Sequence, residues 1–346
     1  MSPLMFSTLL LALGLGTTVT FASSHWLLAW MGLEINSLAM VPLMARPHFP
    51  RAVEAATKYF LAQATAAAMI LFAGMTNAWM TGQWTIDMMT HPLPLTLVTL
   101  ALALKVGLAP AHAWLPEVLQ GVDLITGLIL STWQKLAPIA LLLQLPHGNS
   151  PLLLILALSS TLIGGWAGLN QTQLRKILAY SSIAHLGWMM LILQYAPSLT
   201  LLALLTYIIM TSSVFLLFKL NNTTSINALA TSHTKIPILT LFAPLILLSL
   251  GGLPPLTGFM PKWLILHELT MQEMGALATI TALTALLSLY FYLRLSYSMS
   301  LTMSPNNLLT TTTWRLHPHQ PTLPLAIATT SATMLLPLAP AAFLVR

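Results

Sequence analysis

Residues 248–263 read LSLGGLPPLTGFMPKW. Gly251, Gly252 and Gly258 with Pro254 and Pro255 crowd three glycines and two prolines into eight residues. These breakers fall inside a hydrophobic run of about 237–267, which is long enough to cross a bilayer. In lipid, backbone groups freed from a helix are tolerated only where they are buried in protein or face water. An interrupted helix therefore sets polar backbone, and Lys262 beside it, next to a hydrated path. The plainer alternative is a kinked helix with a lysine reaching the interface.

The chain around this stretch has the composition of a membrane protein. Of 346 residues, 57% are hydrophobic and 6% charged, against about 25% charged in an ordinary soluble domain. Lipid is thus the main solvent, and the chain is a polytopic all-α integral membrane protein. The net charge of +6 comes from basic residues scattered singly, which excludes a nucleic-acid-binding run. With no cysteine there is no disulfide, no thiolate zinc site and no iron–sulfur ligation. Neither a dinucleotide fingerprint nor a metal-spaced pair of ligands on one helix face is present. The stretch from Pro3 to Ala22 lacks a basic flank and a clear cleavage site, so it reads as a retained span rather than a signal peptide.

Apolar spans fall at about 3–22, 25–44, 58–80, 92–110, 122–146, 150–169, 174–195, 198–219, 237–267, 275–299 and 321–344. About eleven helices follow, joined by short connections. The basic residues collect on one side if these helices alternate: Arg46, Arg51 and Lys58 at the second loop, Arg175 and Lys176 at the sixth, Lys219 and Lys235 at the eighth, Arg315 in the tenth. The third loop offers Asp87 and the ninth Glu268 and Glu273. This places the N-terminus on the positive side and Arg346 on the other. The polar stretches near 220–236 and 300–320 read as loops, and Gly164-Gly165-Trp166-Ala167-Gly168 as a site of close helix packing. The Trp and Met residues read as interfacial belt and packing residues.

Ionisable groups inside spans carry the functional signal, since each costs about 2.5–3.5 kcal/mol at a helix centre. Glu34 lies midway along the second span, Lys105 well inside the fourth, Lys135 in the middle of the fifth, Lys262 late in the ninth and His185 at the centre of the seventh. For Glu34, Lys105 and Lys135 the competing reading is a satisfied ion pair or a snorkelling lysine. His112, in KVGLAPAHAWLP, is either a proton carrier at the mouth of the fourth helix or a polar interfacial residue; His185, with Ser181 and Ser182 a turn before it, is either a relay or a simple interhelical bond. Two irregular helices suggest two units of five helices, 1–149 and 150–300, the second inverted, with 301–346 as a loop and final helix. Lys105 then matches Lys262, Glu34 matches His185, and Lys135 matches Arg294.

Five segments in order carry a more specific likeness: WMGLEINSLA (30–39), KVGLAPAHAWLPEVLQG (105–121), STWQKLAP (131–138), GGWAGLNQTQLRKILAYSSIAHLGW (164–188) and LSLGGLPPLTGFMPKW. Together they resemble the antiporter-like proton-translocating membrane subunits of respiratory complex I, in the mitochondrial form, a family related to cation/proton antiporter subunits. The resemblance covers essentially the whole chain and is weakest over the C-terminal forty or so residues. APAHAWLP departs mildly from relatives with bulky residues around the histidine, which bears on the hydration of His112.

The resemblance implies an antiporter-like fold with broken helices, in the inner mitochondrial membrane, with the N-terminus on the matrix side. It also implies that Glu34 and Lys105 are the carboxylate and lysine of a first half-channel, Lys135 a bridging lysine, His185 a central relay, and Lys262 the lysine of a second half-channel. NADH, flavin, iron–sulfur clusters and ubiquinone are expected in partner subunits, with none bound by this chain. Other membrane-arm subunits, antiporter-like ones included, and phospholipids such as cardiolipin are the expected partners. Desolvation favours a neutral amine and an approaching carboxylate favours the ammonium, so a moving Glu34 would switch the proton on a lysine. The other classes are a cation/proton antiporter subunit, which would use the same lysines without NADH, and a structural membrane assembly scaffold, in which the charges only fix helix registry.

Overall fold

The computed structural model describes residues 3–46, 49–146, 148, 150–234, 237–300 and 323–338. Lys235, Arg315 and Arg346, the loop read at 300–320 from residue 301 onward, and His48, His147, His317 and His319 lie outside the described residues. Among the described residues the only strand-type pairing is two isolated bridges, His25 with Thr85 and Gln173 with Ser225; everything regular is helical.

The chain divides into two compact units, Met1–Ser160 and Thr161–Arg346. The first contains α1 (Pro3–Ala22), α2 (Trp26–Ala45), α3 (Pro50–Thr81), α4 (Pro92–Val106), α5 (Trp114–Gly121), α6 (Leu124–Ser131) and α7 (Trp133–Gln144). Helix α8 (Pro151–Gly168) runs through the boundary. The second contains α9 (Leu174–Ile192), α10 (Pro197–Asn221), α11 (Ile226–Ala230), α12 (Pro237–Gly251), α13 (Phe259–Met271), α14 (Gly275–Ser300) and α15 (Leu323–Met334).

Helices α1, α2, α3, α8, α10 and α14, with the α6–α7 line (Leu124–Gln144), are each long and apolar enough to cross a membrane. Their outward faces are as apolar as their inward ones. Leu11 on α1 is 66% exposed and Trp79 on α3 91%, an arrangement stable where the surroundings are hydrocarbon rather than water. With little hydrophobic drive between helices in lipid, close backbone approach has to hold them together. Gly16 and Gly32 supply it for α1 and α2: a Cβ on Gly32 would stand 2.6 Å from Thr20 Cγ2 and 2.9 Å from the Gly16 carbonyl oxygen. In the second unit the Gly164–Gly168 run does the same on two faces. Gly164 abuts the Ala184 backbone of α9, while Gly165 and Gly168 abut Leu287 and Phe291 of α14.

The two irregular spans are both broken helices. After α4, Gly107 takes φ +87° and its N–H bonds the carbonyls of Ala103 (2.9 Å) and Leu104 (3.2 Å), with Leu108 N–H also on Ala103 (2.9 Å). After α12, Gly252 takes φ +80° and bonds Leu248 (3.1 Å) and Ser249 (2.9 Å), with Leu253 N–H on Leu248 (3.3 Å). This is the same left-handed glycine stop twice, a backbone conformation that glycine adopts freely and other residues resist. The second half-helices, α5 and α13, resume after short turns. Gly258 lets α13 start directly against the Ser249 carbonyl, leaving no room for a Cβ, and the Thr257 hydroxyl donates to the Ala332 carbonyl of α15.

Candidate functional site: two lysine cavities

A helix that stops inside lipid leaves carbonyls that must find donors, each otherwise costing several kcal/mol. At the end of α4, Trp114 Nε1 donates to Leu104 O (3.0 Å) and Gln63 Nε2 to Lys105 O (3.3 Å). At the end of α12, Lys262 Nζ itself donates to Gly251 O (2.8 Å). The two breaks are thus capped by different chemistry: neutral side chains in the first, the side-chain nitrogen of Lys262 in the second, where it also meets the negative end of the helix dipole. The two lysines also occupy different places, Lys105 in the last turn before its break and Lys262 in the half-helix after its own.

In the first unit Lys105 (6% exposed) and Lys135 (2% exposed) line one small cavity, with room for roughly one water molecule. Asn36, Tyr59, Gln63 and Gln134 supply its other polar walls. Gln134 Nε2 donates to Asn36 Oδ1 (3.1 Å) and to Asn36 O (3.4 Å), and the Tyr59 hydroxyl donates to Gln134 Oε1 (3.4 Å). These bonds tie α7 to α2 and α3. The ring of Tyr59 packs edge-on against Trp114 at 5.8 Å, so the residue that caps α4 also fixes the tyrosine.

Glu34 sits two residues before Asn36 on α2 and is half-buried. Among the described residues it forms no direct ion pair with Lys105; the ion pairs there are exposed ones joining Lys58 to Glu54 and to Glu117, each 2.7 Å. The fold brings Lys105 and Lys135 onto one cavity whose wall includes Leu33 and Asn36, on either side of Glu34 in sequence, while Glu34 itself is not part of the lining. His112 is held apart, in the turn after α4, with Nδ1 3.2 Å from Pro110 O, and does not line the cavity.

In the second unit His185 of α9 and Lys262 of α13 line a second cavity, together with Trp188, Thr206 and Met210. Lys262 Nζ lies 6.0 Å from the Trp188 ring, at the outer reach of a cation–π contact. The His185 ring rests on Tyr207 at 5.6 Å. Ser181 and Ser182 bond back to Leu178 O (2.8 Å) and Ala179 O (2.7 Å), and their oxygens lie near the hydroxyls of Tyr292 and Tyr207 respectively. His185 is therefore set beside a buried group of hydroxyls. Arg294, by contrast with Lys135, is exposed and donates to Leu169 O (2.8 Å). Among the described residues no group of three or more His, Asp or Glu is placed to hold a metal ion.

Two tryptophans correct the reading of that residue type as belt and packing only: Trp114 caps a half-helix and Trp188 faces Lys262. Asn36, Tyr59, Gln63 and Gln134 were not singled out from the sequence. The available signal was an amide beside an ionisable group within a span, Glu34-Ile35-Asn36 and Gln134-Lys135.

A family model for the membrane domain of NADH:quinone oxidoreductases and Mrp antiporters matches residues 23–288, and one for the NADH dehydrogenase subunit 2 C-terminus matches residues 289–343. The chain belongs to the NADH:quinone oxidoreductase/Mrp antiporter family. Members similar to it include NADH-ubiquinone oxidoreductase chain 2 of Tetraodon nigroviridis, 69% identical over 98% of both chains. The corresponding protein of Salmo salar is 68% identical over 99% of this chain and 98% of that one. Among solved structures, a chain of respiratory complex I from Thermus thermophilus with bound aureothin superposes with a TM-score of 0.81 at 30% identity, over 97% of this chain and 78% of that one. A chain of the Mrp complex from Dietzia sp. shares the family fold with a TM-score of 0.79 at 17% identity, over 97% of this chain and 75% of that one.

Proposed function

We propose that this chain is a proton-translocating subunit of the membrane arm of respiratory complex I, moving protons through the two lysine cavities. The observation that carries the reading is the placement of Lys105 and Lys135 on one small, partly polar cavity beside a helix break, in a family whose members are complex I and antiporter membrane subunits. It is a subunit of the proton-translocating NADH:ubiquinone reductase and a multi-pass protein of the mitochondrial inner membrane, working beside other antiporter-like subunits.

The finer assignments belong to the proposal. Glu34 switches Lys105 between ammonium and amine by approaching or leaving it. Lys135 and His185 relay the proton onward, and Lys262 releases it, with His112 as an entry group. The chain crosses the membrane eleven times with its N-terminus on the matrix side, in two inverted five-helix units, 1–149 and 150–300. NADH, flavin, iron–sulfur clusters and ubiquinone are bound by partner subunits, and phospholipids, cardiolipin among them, line the outer faces. Moving one proton against 100 mV requires about 2.3 kcal/mol, within what a change in ion pairing of buried groups supplies.

Gentle solubilisation, affinity capture of this chain and assay of the captured particle test the reading. A large particle that reduces quinone with NADH is expected. A small particle without that activity that exchanges Na⁺ or K⁺ for protons in liposomes would replace it with the antiporter reading.

A further inference from the structure

A lysine held as an ammonium has three N–H donors to place. Lys262 Nζ places one of them, on Gly251 O at 2.8 Å, and among the described residues no other atom of the cavity wall accepts from it. The wall itself explains this. Asn36, Gln63 and Gln134 bring amides to the first cavity, whereas the second has neither an amide nor a carboxylate in its lining. Thr206 turns its hydroxyl back onto Ala203 O (3.0 Å), and the His185 ring rests on Tyr207. What Nζ does have before it is the indole of Trp188, which is 5% exposed and whose ring centroid lies 6.0 Å away. The negative face of such a ring attracts a cation and does little for a neutral amine, and the attraction grows where water is shut out. Gly251 O stands at the C-terminal end of α12, the negative end of that helix. Both groups that meet Nζ therefore favour the same form of the lysine, the charged one.

We propose that Trp188 is a positioning residue for Lys262, its indole face taking the place of a counter-ion and holding the lysine as an ammonium in the second cavity. Trp188 follows His185 by three residues, which sets both rings on one face of α9. The group that keeps the charge in place thus also keeps it on the wall that carries the relay. Trp188 gives and takes no proton. That is the chemical difference from a carboxylate in the same position, which would steady the ammonium equally well but could accept its proton and end the transfer there. An indole face steadies the charge and leaves the proton on Nζ for the next carrier. The inference rests on the role given to Lys262 above and deepens it.

Trp188→Phe keeps a π-face, a weaker one, at the same place, while Trp188→Leu and Trp188→Met fill much of the space that Phe fills and have none. Each is measured in the assembled complex, as NADH-driven proton pumping divided by the amount of assembled complex, so that a lower yield leaves the comparison intact. Trp188→Phe is expected to pump within about threefold of the native rate, and both aliphatic variants to lose about tenfold, the worth of a desolvated cation–π contact. Phe, Leu and Met falling together, or none of them falling, would overturn the inference, because a residue that only fills space is indifferent to whether its replacement is aromatic. Lys262→Met, measured beside them, separates the two readings. If it pumps at the native rate, the role of Lys262 fails; if it loses pumping and the aromatic order is missing, this inference fails by itself.

Discussion

A lysine ammonium and a bare main-chain carbonyl are each costly in lipid, and Lys262 and Gly251 relieve both with one bond of 2.8 Å. That bond depends on a missing methyl group. A Cβ on Gly252 would stand 2.8–3.1 Å from Cδ, Nζ and Cε of Lys262. Gly107 provides the matched control. It has nearly the same φ, but its added Cβ would meet Leu115 and Trp114 at 3.3–3.5 Å. Both Gly→Ala changes carry the same backbone penalty of about 1–2 kcal/mol, so the difference between them compares a closer approach to Lys262 with a looser one to Leu115 and Trp114. Gly252→Ala is expected to reduce pumping per assembled complex several-fold more than Gly107→Ala, measured with a pH-sensitive dye in sealed membranes. Equal losses would mean that the seat of Lys262 is not set by Gly252.

Between helices the decisive quantity is how near two backbones come. Gly164 offers 2.7 Å between its would-be Cβ and the Ala184 nitrogen, whereas Gly14 on α1 has nothing within 4 Å. Gly164→Val is therefore expected to push α8 from α9 and sharply lower the amount of assembled complex on native gels. Gly14→Ala is expected to leave it unchanged, or raise it through a helix propensity gain of up to about 1 kcal/mol. A Gly164→Val chain that assembles like the native one would show that this contact is dispensable. The same elements show what sequence makes legible. Spans expected at about 3–22 and 25–44 are α1 and α2 almost to the residue, because apolar runs have sharp ends where they meet polar loops. Helix α3 begins at Pro50 rather than near 58; its first turns carry Arg51, Glu54 and Lys58, which give no apolar signal although the helix continues through them. The two breaks were readable because Gly and Pro inside a span have few other meanings. The lysines were readable because charge is rare there. Asn36, Gln63, Gln134 and Tyr59 were not, since a neutral polar residue in a span is ordinary until its neighbours on other helices are known. Trp114 and Trp188 look in sequence like any interfacial tryptophan.

For the whole molecule, the apolar outer faces and the polar interiors point the same way: the chain is solvated by lipid outside and holds its charge within. It is expected to stay with the membrane through an alkaline carbonate wash that strips peripheral proteins, and to leave it only in detergent; release by carbonate would contradict the reading of α1, α2, α3, α8, α10 and α14 as spans. Each unit places a lysine on its own cavity, Lys105 in the first and Lys262 in the second, and the central claim is that these lysines carry protons rather than hold helices in register. Lys105→Met and Lys262→Met keep the length and apolar stem of each side chain and remove the charge. The measurement is NADH-driven proton pumping in sealed membranes, set against the amount of complex assembled. The account predicts that Lys105→Met assembles to native levels, that Lys262→Met assembles less because the Gly251 carbonyl loses its donor, and that each loses at least about tenfold in pumping per assembled complex, as expected when a positioned proton-transfer group is removed. Native pumping in either variant, or loss of assembly with undiminished pumping per remaining complex, would contradict it.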